Sequence, residues 1–425
     1  MESNKFNTDA GDICSGNGNC SPPRKKPVLD LNHTRNIDDI STPSDLKFDE
    51  EFDFEDPANV EKSKKIEKLL EDYESVSVEE WQHLAKSKGG LLSDKYRRRI
   101  WPLLVGVTRA ELTEPPSLEE LSTHPEYNQV VLDVNRSLKR FPPGIPYARR
   151  VALQDQLTVL ILRVIMRYPH LKYYQGYHDV AITLLLVCGA RAAFPLLCRL
   201  STGEARDGET EEAPLEPFMQ PTMRATQHRL NYLLPALRRA SPELADTLQQ
   251  AAVGTMFALP WYLTWFGHSL PRYADVVRLY DYFLCSPPLF PVYVTVAIVL
   301  HRADEVLECE CDMAMLHCLL SRLPNSLPFE ELLTTAQRLY EAHPPSTLER
   351  DVQRLEREEE EQRLRDEQRM RRRAAARAGA GDTLVTRLRR GLAVCGARLP
   401  RRYLLATAAV LLGVYAYYRP DFFVR

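Results

Sequence analysis

The sequence predicts an all-α domain, on three observations. Apolar residues recur mostly at helical spacing, proline or glycine separates one helical run from the next, and strand signals are few. The run 292–300 is rich in β-branched side chains, but its length and context favour a buried helix. On either side of the domain we expect a disordered acidic N-terminal tail and a C-terminal transmembrane tail anchor.

The composition excludes some classes of function. The chain has 425 residues, enough for two average domains or one large domain with tails, and a formal net charge of −3. Acidic residues cluster in 47–56 and arginines in 363–402, so the charge is unevenly spread and we expect no nucleic-acid partner. The nine cysteines follow no disulfide framework, and no apolar signal segment opens the chain. The bulk of the protein is therefore expected in the reducing cytosol.

Residues 1–60 are predicted to be a disordered acidic tail, because they are rich in Asn, Asp, Ser and Pro and lack apolar periodicity. Helical signals begin near Val60 and continue through Leu84, so the helical domain is placed at 61–345. Within it, Gly203–Pro214 is charged and rich in small residues. That composition predicts an exposed loop that tolerates deletion.

An apolar stripe predicts a helix in the second quarter of the domain. Its members follow one another at spacings of four, three, four and three, and would face a core; they are Tyr127, Val131, Val134, Leu138 and Phe141. Asp133, Arg136 and Arg140 fall on a different face, where charged groups meet solvent or a partner. Pro142 and Pro143 then stop the helix, since proline cannot continue it.

A second segment, Tyr174-Gln175-Gly176, is predicted to lie in a connecting loop or in the first turn of the next helix. It follows a helical run broken by Pro169 and precedes the apolar run Ala181–Val187. Gly176 would permit a positive φ or the close approach of another backbone.

These two segments together resemble the paired motifs of TBC domains, the GTPase-activating proteins of Rab GTPases. The family patterns are Ile-x-x-Asp-x-x-Arg and Tyr-Gln-Gly; this chain has valine at the first position, Val130, and the second motif follows about forty residues later. At Tyr177-His178 it departs from the Met-Asn of many members. Further matching segments occur in the family's order between about Gly89 and Pro344; they are Gly90–Leu92 with Arg97, Ile100–Leu104, Trp261–Phe266 and Val277–Phe283.

The resemblance implies a domain that supplies Arg136 as an arginine finger and Gln175 as a glutamine finger to a GTP-loaded Rab. It further implies supporting roles for Asp133, Tyr174 and Gly176. Asp133, one turn before the arginine, would hold the guanidinium extended or tie the helix to its neighbour. On this interpretation the chain is not itself a hydrolase, has no cofactor or metal of its own, and acts on Rab-bound GTP and Mg²⁺.

Other hypotheses compete with catalysis. The chain could bind a Rab without accelerating hydrolysis, as a membrane-tethered scaffold, or its charged C-terminal part could act mainly as a tether. From the residues alone, Asp133 and Arg136 could also be an ordinary surface pair, worth roughly 0.5 kcal/mol or less. The presence of both finger positions favours the catalytic hypothesis.

Two further clusters suggest chemistry less strongly. Cysteines and a histidine lie close together late in the domain, but structural zinc sites use two separated cysteine pairs, so we expect buried free thiols there; these residues are Cys309, Cys311, His317 and Cys318. His178 beside Asp179 could be a general base, but no nucleophile motif accompanies it, and a loop or capping role is expected.

The C-terminal part is predicted as a series of four segments. Residues 346–382 are almost purely charged, which indicates a solvated helix or a weak coiled coil, with a flexible Ala-Gly-Ala-Gly break at 378–381. Residues 383–402 form a basic juxtamembrane segment. Residues 403–418 are uncharged and apolar with arginines at both ends, which favours a transmembrane helix over a buried or interfacial one, and 419–425 form a short tail.

The predicted membrane helix indicates where the protein acts. Its sixteen residues would span only roughly 24 Å against a bilayer core of about 30 Å. Such shortness favours a thin bilayer, so we expect a single-pass anchor in the endoplasmic reticulum or Golgi membrane with the helical domain in the cytosol. The family resemblance favours Rabs of the early secretory pathway as the substrate. It therefore implies a role in the control of vesicle traffic.

Overall fold

A computed structural model describes residues 56–107, 116–137, 146–203 and 212–395. Within these ranges every regular element is helical, which confirms the all-α prediction. The α-helices, in chain order, are α1 (Pro57–Glu71), α2 (Val78–Lys86), α3 (Asp94–Leu104), α4 (Leu118–Ser122), α5 (Tyr127–Ser137), α6 (Tyr147–Arg167), α7 (Tyr177–Thr202), α8 (Arg224–Leu230), α9 (Leu233–Ala240), α10 (Pro242–Gln250), α11 (Leu259–Leu263), α12 (Tyr273–Phe283), α13 (Phe290–His301), α14 (Ala303–Glu308), α15 (Met313–Ser321), α16 (Phe329–Ala342) and α17 (Pro345–Cys395). Short 3-10 helices cover Glu216–Met219 and Met256–Ala258.

The first helix begins earlier than the predicted domain limit at 61. Asp56 caps α1 by accepting a hydrogen bond from Ala58 N at 2.9 Å, and Pro57 occupies the first helical position. A proline there loses no hydrogen bond, because the first amides of a helix have no intrahelical partner. The predicted disordered tail is therefore wrong for residues 57–60, and its remainder up to 55 lies outside the described residues.

Helix α7 lies at the centre of the domain and packs against α3, α5 and α6. It is kinked at Gly189, whose φ of 75° lies outside helical values. Among the described residues α7 is the one helix long and apolar enough to cross a membrane, but 78% of its apolar window is buried within the protein. It is a core helix, and its N-terminal end is where Tyr174-Gln175-Gly176 joins the domain.

Two parts of the chain that match the family pattern, one near its start and one near its end, meet at a buried carboxylate. This carboxylate is Asp281 on α12. The Arg97 guanidinium of α3 donates to it through Nε at 3.1 Å and Nη2 at 3.0 Å, and both side chains are fully buried. The Trp101 indole donates to the same carboxylate at 2.8 Å, and Leu91 N at 3.0 Å. At Gly90, where φ is +58°, an added Cβ would lie 2.3 Å from Asp281 Oδ2. Residues more than 180 positions apart thus form one hydrogen-bonded network.

The predicted loop at Gly203–Pro214 is anchored at its C-terminal end, so the expectation of exposure is wrong there. Residues 204–211 lie outside the described ranges. Ala213 is buried, and the buried Arg229 donates to the Ala213 and Pro214 carbonyls at 3.2 and 2.9 Å and to the Glu212 carboxylate. A buried guanidinium requires acceptors, and this stretch of backbone supplies them.

The chain divides into two units after Ala342. Helix α17 is continuous to Cys395, so the flexible break predicted at 378–381 is wrong. Neighbouring alanines favour the helix, and each glycine costs only about 1 kcal/mol relative to alanine. Ion pairs one turn apart, such as Arg363–Glu360 at 2.6 Å and Arg365–Glu361 at 2.9 Å, support its charged part. The basic segment beyond Cys395, the predicted membrane helix 403–418 and the tail 419–425 lie outside the described residues.

Candidate functional site

Arg136 and Asp133 lie one turn apart on α5, in very different surroundings. The Arg136 side chain is 65% exposed in the last turn of the helix, whereas Asp133 is 1% exposed. The prediction that both lie on a solvent-facing side is therefore wrong for Asp133. The buried side of α5 consists of Val130, Asp133 and Val134, while Val131 is only half-buried. Leu138, Arg140 and Phe141 lie outside the described residues.

Burial of Asp133 is possible because several donors surround its carboxylate. Arg136 Nη2 donates to Oδ1, and Oδ2 accepts from Gln129 Nε2 at 3.0 Å and from the Tyr173 hydroxyl at 3.1 Å. A buried charge is tolerated when it is paired and hydrogen-bonded in this way. Asp133 thus contacts both the Arg136 guanidinium and the segment that precedes α7.

Tyr173, two residues before Gln175, is held at two points. Its hydroxyl contacts Asp133, and its backbone N donates to Glu126 Oε2 at 2.8 Å. Both acceptors lie on or just before α5. The segment that leads to Gln175 is therefore fixed to the helix that presents Arg136 and to its start. One of the two hydrogen bonds comes from the Tyr173 side chain and the other from its backbone.

The neighbouring Tyr174 anchors the segment on its other side. Its hydroxyl donates to the Leu263 carbonyl at 3.0 Å, and its ring packs on Tyr177 and Phe218 with centroid distances of 5.5 Å. Burial raises the pKa of Tyr174 well above its usual value, so the hydroxyl stays protonated and remains a donor. These contacts fix the position of the residue that precedes Gln175.

Gln175 is exposed in the turn that leads into α7, as predicted. Tyr177 N donates to the Tyr174 carbonyl at 3.1 Å across this turn. Gly176 has a φ of +122°, which confirms the expected positive value, and an added Cβ would lie 3.1 Å from Thr264 Cγ2. Any other residue would strain the backbone that presents Gln175.

A buried polar cluster behind this turn was not recognised as part of the site from the sequence. His178 Nδ1 lies 2.9 Å from the Tyr173 hydroxyl, and His178 Nε2 lies 3.4 Å from Asp179 Oδ2. The same Asp179 oxygen is 3.2 Å from His268 Nδ1. His178 and Asp179 do belong to the first turn of α7, but they face inward. The one signal available beforehand was the departure from Met-Asn at Tyr177-His178.

Hydrogen bonding and burial act on the protonation of His178 in opposite directions, and burial is the larger effect. The Tyr173 hydroxyl has one proton and donates it to Asp133, so its oxygen accepts from a protonated His178 Nδ1. A neutral His178 would then turn a lone pair on Nε2 toward Asp179, whereas an imidazolium would donate to both neighbours. Burial lowers the pKa of His178, and the Asp179 and Asp133 carboxylates oppose that effect.

The lowered pKa of His178 predicts a pH-dependent stability. The unfolded chain binds this proton more tightly than the folded one, so the free energy of unfolding falls as the pH drops below about 6.5. In His178→Asn the side chain cannot titrate, and we expect a shallower fall between about pH 7.5 and pH 5.5. Urea unfolding of both proteins across this range measures the two slopes. Equal slopes would contradict the assignment, whatever the offset between the curves.

The cysteine cluster does not form buried thiols as expected. Cys309 is half-buried and Cys311 and Cys318 are exposed, because the connection between α14 and α15 and the outer side of α15 lie at the surface. No group of three or more metal-ligating side chains occurs in the part of the chain that the structure describes.

Comparisons with known proteins identify the family. The family model for the Rab-GTPase-TBC domain matches residues 94–307. TBC1 domain family member 20 from Homo sapiens and from Bos taurus is 46% identical over 300 residues, which is 69% of this chain and 71% of each relative. The GTPase-activating protein gyp10 of Schizosaccharomyces pombe is 32% identical over 298 residues, 68% of this chain and 77% of its own.

A solved structure shares the fold. The Ypt/Rab-GAP domain of Gyp1p superposes with a TM-score of 0.52 at 16% identity, over 66% of this chain and 99% of that domain. The family model covers half of the chain, and the matching segments include the helix that bears Arg136 and the turn that bears Gln175. The chain belongs to the Rab-GTPase-TBC domain family.

Proposed function

We propose that this protein is a GTPase-activating protein for Rab GTPases, in which Arg136 and Gln175 enter the nucleotide site of the GTPase. One observation supports the two residues most strongly. Arg136 and Gln175 are both exposed, and the segments that bear them share the buried carboxylate of Asp133, through Arg136 itself and through Tyr173. Both groups are therefore accessible to a partner while buried contacts hold the segments that bear them.

Arg136 has the chemistry that GTP hydrolysis requires. Charge develops on the oxygens of the transferred phosphoryl group, and a guanidinium offers a permanent cation with planar donors. An arginine supplied in trans to a GTPase accelerates hydrolysis by about 10³–10⁵, or roughly 4–7 kcal/mol of barrier. Asp133 keeps the arginine oriented before the GTPase binds, which reduces the ordering cost on binding.

Gln175 can orient the attacking water. Its amide accepts a hydrogen bond from water and donates one to phosphate at the same time. The turn is fixed by Tyr173 and Tyr174 on one side and by the strained Gly176 on the other, so the exposed amide starts from a defined position. GTP and Mg²⁺ belong to the Rab, and the proposal assigns this chain no cofactor of its own.

Hydrolysis measurements with a panel of purified, GTP-loaded Rabs test the proposal. Residues 56–345 include the cap of α1 and extend past the end of α16, so we expect this fragment to be helical and to stimulate single-turnover hydrolysis by at least one Rab. Binding without stimulation would support the competing scaffold hypothesis. A well-folded fragment that is inactive on every Rab would reject the catalytic proposal.

We further propose that residues 403–418 anchor the protein in the membrane of the endoplasmic reticulum or Golgi, where it would act on Rabs of the early secretory pathway. The support is the uncharged apolar run with arginines at both ends, and its shortness. Deleting 403–425 should release the protein from membranes while leaving solution activity nearly unchanged. A truncated protein that still pellets with membranes after a high-salt wash would contradict the anchor.

A further inference from the structure

Arg136 is bordered on its own helix by an exposed apolar side chain, Leu132. The two residues are four positions apart on α5, so they lie on the same face one turn from each other. Leu132 is 58% exposed and Arg136 is 65% exposed, while the opposite face of the helix is buried. Single exposed leucines are common on protein surfaces. This one differs because a partner that receives Arg136 must also approach the turn beside it.

A second exposed apolar residue, Tyr147, is the first residue of α6, the helix that follows α5 and packs against it. Helices α5 and α6 pack together, and Tyr127 at the start of α5 lies near Asp155 of α6. Along its axis, α5 rises about 13 Å from Tyr127 to Arg136. Helix α6 covers a similar length, about 12 Å, from Asp155 back to Tyr147. Packed helices joined by a connection as short as residues 138–146 normally run antiparallel, so we place the first residue of α6 beside the arginine. The Tyr147 side chain is 74% exposed.

We propose that Leu132 and Tyr147 are an apolar docking pair that flanks Arg136 and is covered by the GTP-loaded Rab. This inference rests on the proposed function, since it takes the partner to be the protein whose nucleotide site receives the arginine. The matching surface on the GTPase is an apolar one beside the nucleotide, formed by the segments that the γ-phosphate orders. The pair contributes to affinity, and Arg136 to the rate.

The assignment of separate roles follows from what each side chain can do. Covering an apolar group removes it from water equally in the ground state and the transition state, so it changes binding uniformly. An aromatic side chain at the centre of an interface, such as Tyr147, is among the residue types that contribute most to affinity. Loss of the pair should therefore raise the half-saturating concentration of the activator and leave the rate at saturation unchanged.

Single-turnover hydrolysis by a responsive Rab, measured against increasing concentration of the full chain, tests the pair. Leu132→Gln keeps length and helix propensity but removes the apolar surface, and Tyr147→Ala removes the ring. We expect each to raise the half-saturating concentration about three- to tenfold, with the saturating rate within about twofold of wild type. Leu132→Met, which stays apolar, should behave like wild type.

A matched control and the contrary outcomes separate this inference from the proposed function. Met315→Gln changes a comparably exposed apolar residue on α15, at 52% exposure, and should leave both parameters unchanged. Unchanged half-saturation in Leu132→Gln and Tyr147→Ala, with Arg136→Ala inactive, would overturn the docking pair alone. A fall in the saturating rate without a change in half-saturation would also overturn it. Normal stimulation by Arg136→Ala would instead overturn the proposed function.

Discussion

Arg136→Ala is expected to lower the stimulated rate of GTP hydrolysis by about 10³-fold or more. The substitution removes a cation that is needed chiefly when charge develops in the transition state, so affinity for the GTP-loaded Rab should fall much less than the rate. The Arg136 side chain is 65% exposed, and the buried Asp133 keeps Gln129 and Tyr173 as donors, so the melting temperature should fall only modestly. Rate and affinity are measured side by side by single-turnover hydrolysis and by equilibrium binding to the Rab.

Companion variants show whether the two fingers act together. Arg136→Lys should restore little activity, since a point charge does not reproduce the planar fork of donors. Gln175→Ala should lower the rate through loss of water positioning. The double variant should lose less than the sum of the two free-energy losses if the residues serve one transition state. Equal loss of rate and affinity in Arg136→Ala would indicate a binding role, and normal stimulation would end the assignment.

The sequence predicted those features of the site that depend on a few neighbouring residues. The pattern around Arg136 and the Tyr-Gln-Gly motif identified both candidate fingers, and the structure places both at the surface. The positive φ of Gly176 followed from the chemistry of glycine in a turn. In each case the signal lies within a few residues of the feature that it predicts.

The burial of Asp133 was missed because its cause is not local. A charged residue in an amphipathic pattern is normally assigned to the exposed face. Here Tyr173, forty positions away, supplies the hydrogen bond that helps to compensate the buried carboxylate. The part of His268 in the cluster with His178 and Asp179 went unrecognised for the same reason, since His268 lies 89 positions from Asp179. In α17 a local signal was misleading instead. The two glycines in 378–381 predicted a break, but the helix-forming residues on either side keep the helix continuous.

Asp281 makes the largest contribution to stability that we predict for a single side chain. Asp281→Ala should destabilise the domain by about 3–5 kcal/mol, because it leaves the fully buried Arg97 without its main counter-charge. The Trp101 indole and the Leu91 amide also lose their acceptor. Against a typical total of about 5–15 kcal/mol, this loss is enough to unfold much of the protein near physiological temperature. Urea unfolding followed by circular dichroism measures it.

A surface pair in the same chain provides the control. Arg238 donates to Asp246 at 2.7 Å with side chains 41% and 55% exposed, so Arg238→Ala should cost less than about 1 kcal/mol. Replacing both members of the buried pair, as Arg97→Met with Asp281→Leu, removes the unpaired charge and should cost less than the sum of the single variants. If Asp281→Ala costs no more than Arg238→Ala, the carboxylate does not hold these segments together. In that case the packing of α3 and α12 alone stabilises the fold that positions Arg136 and Gln175.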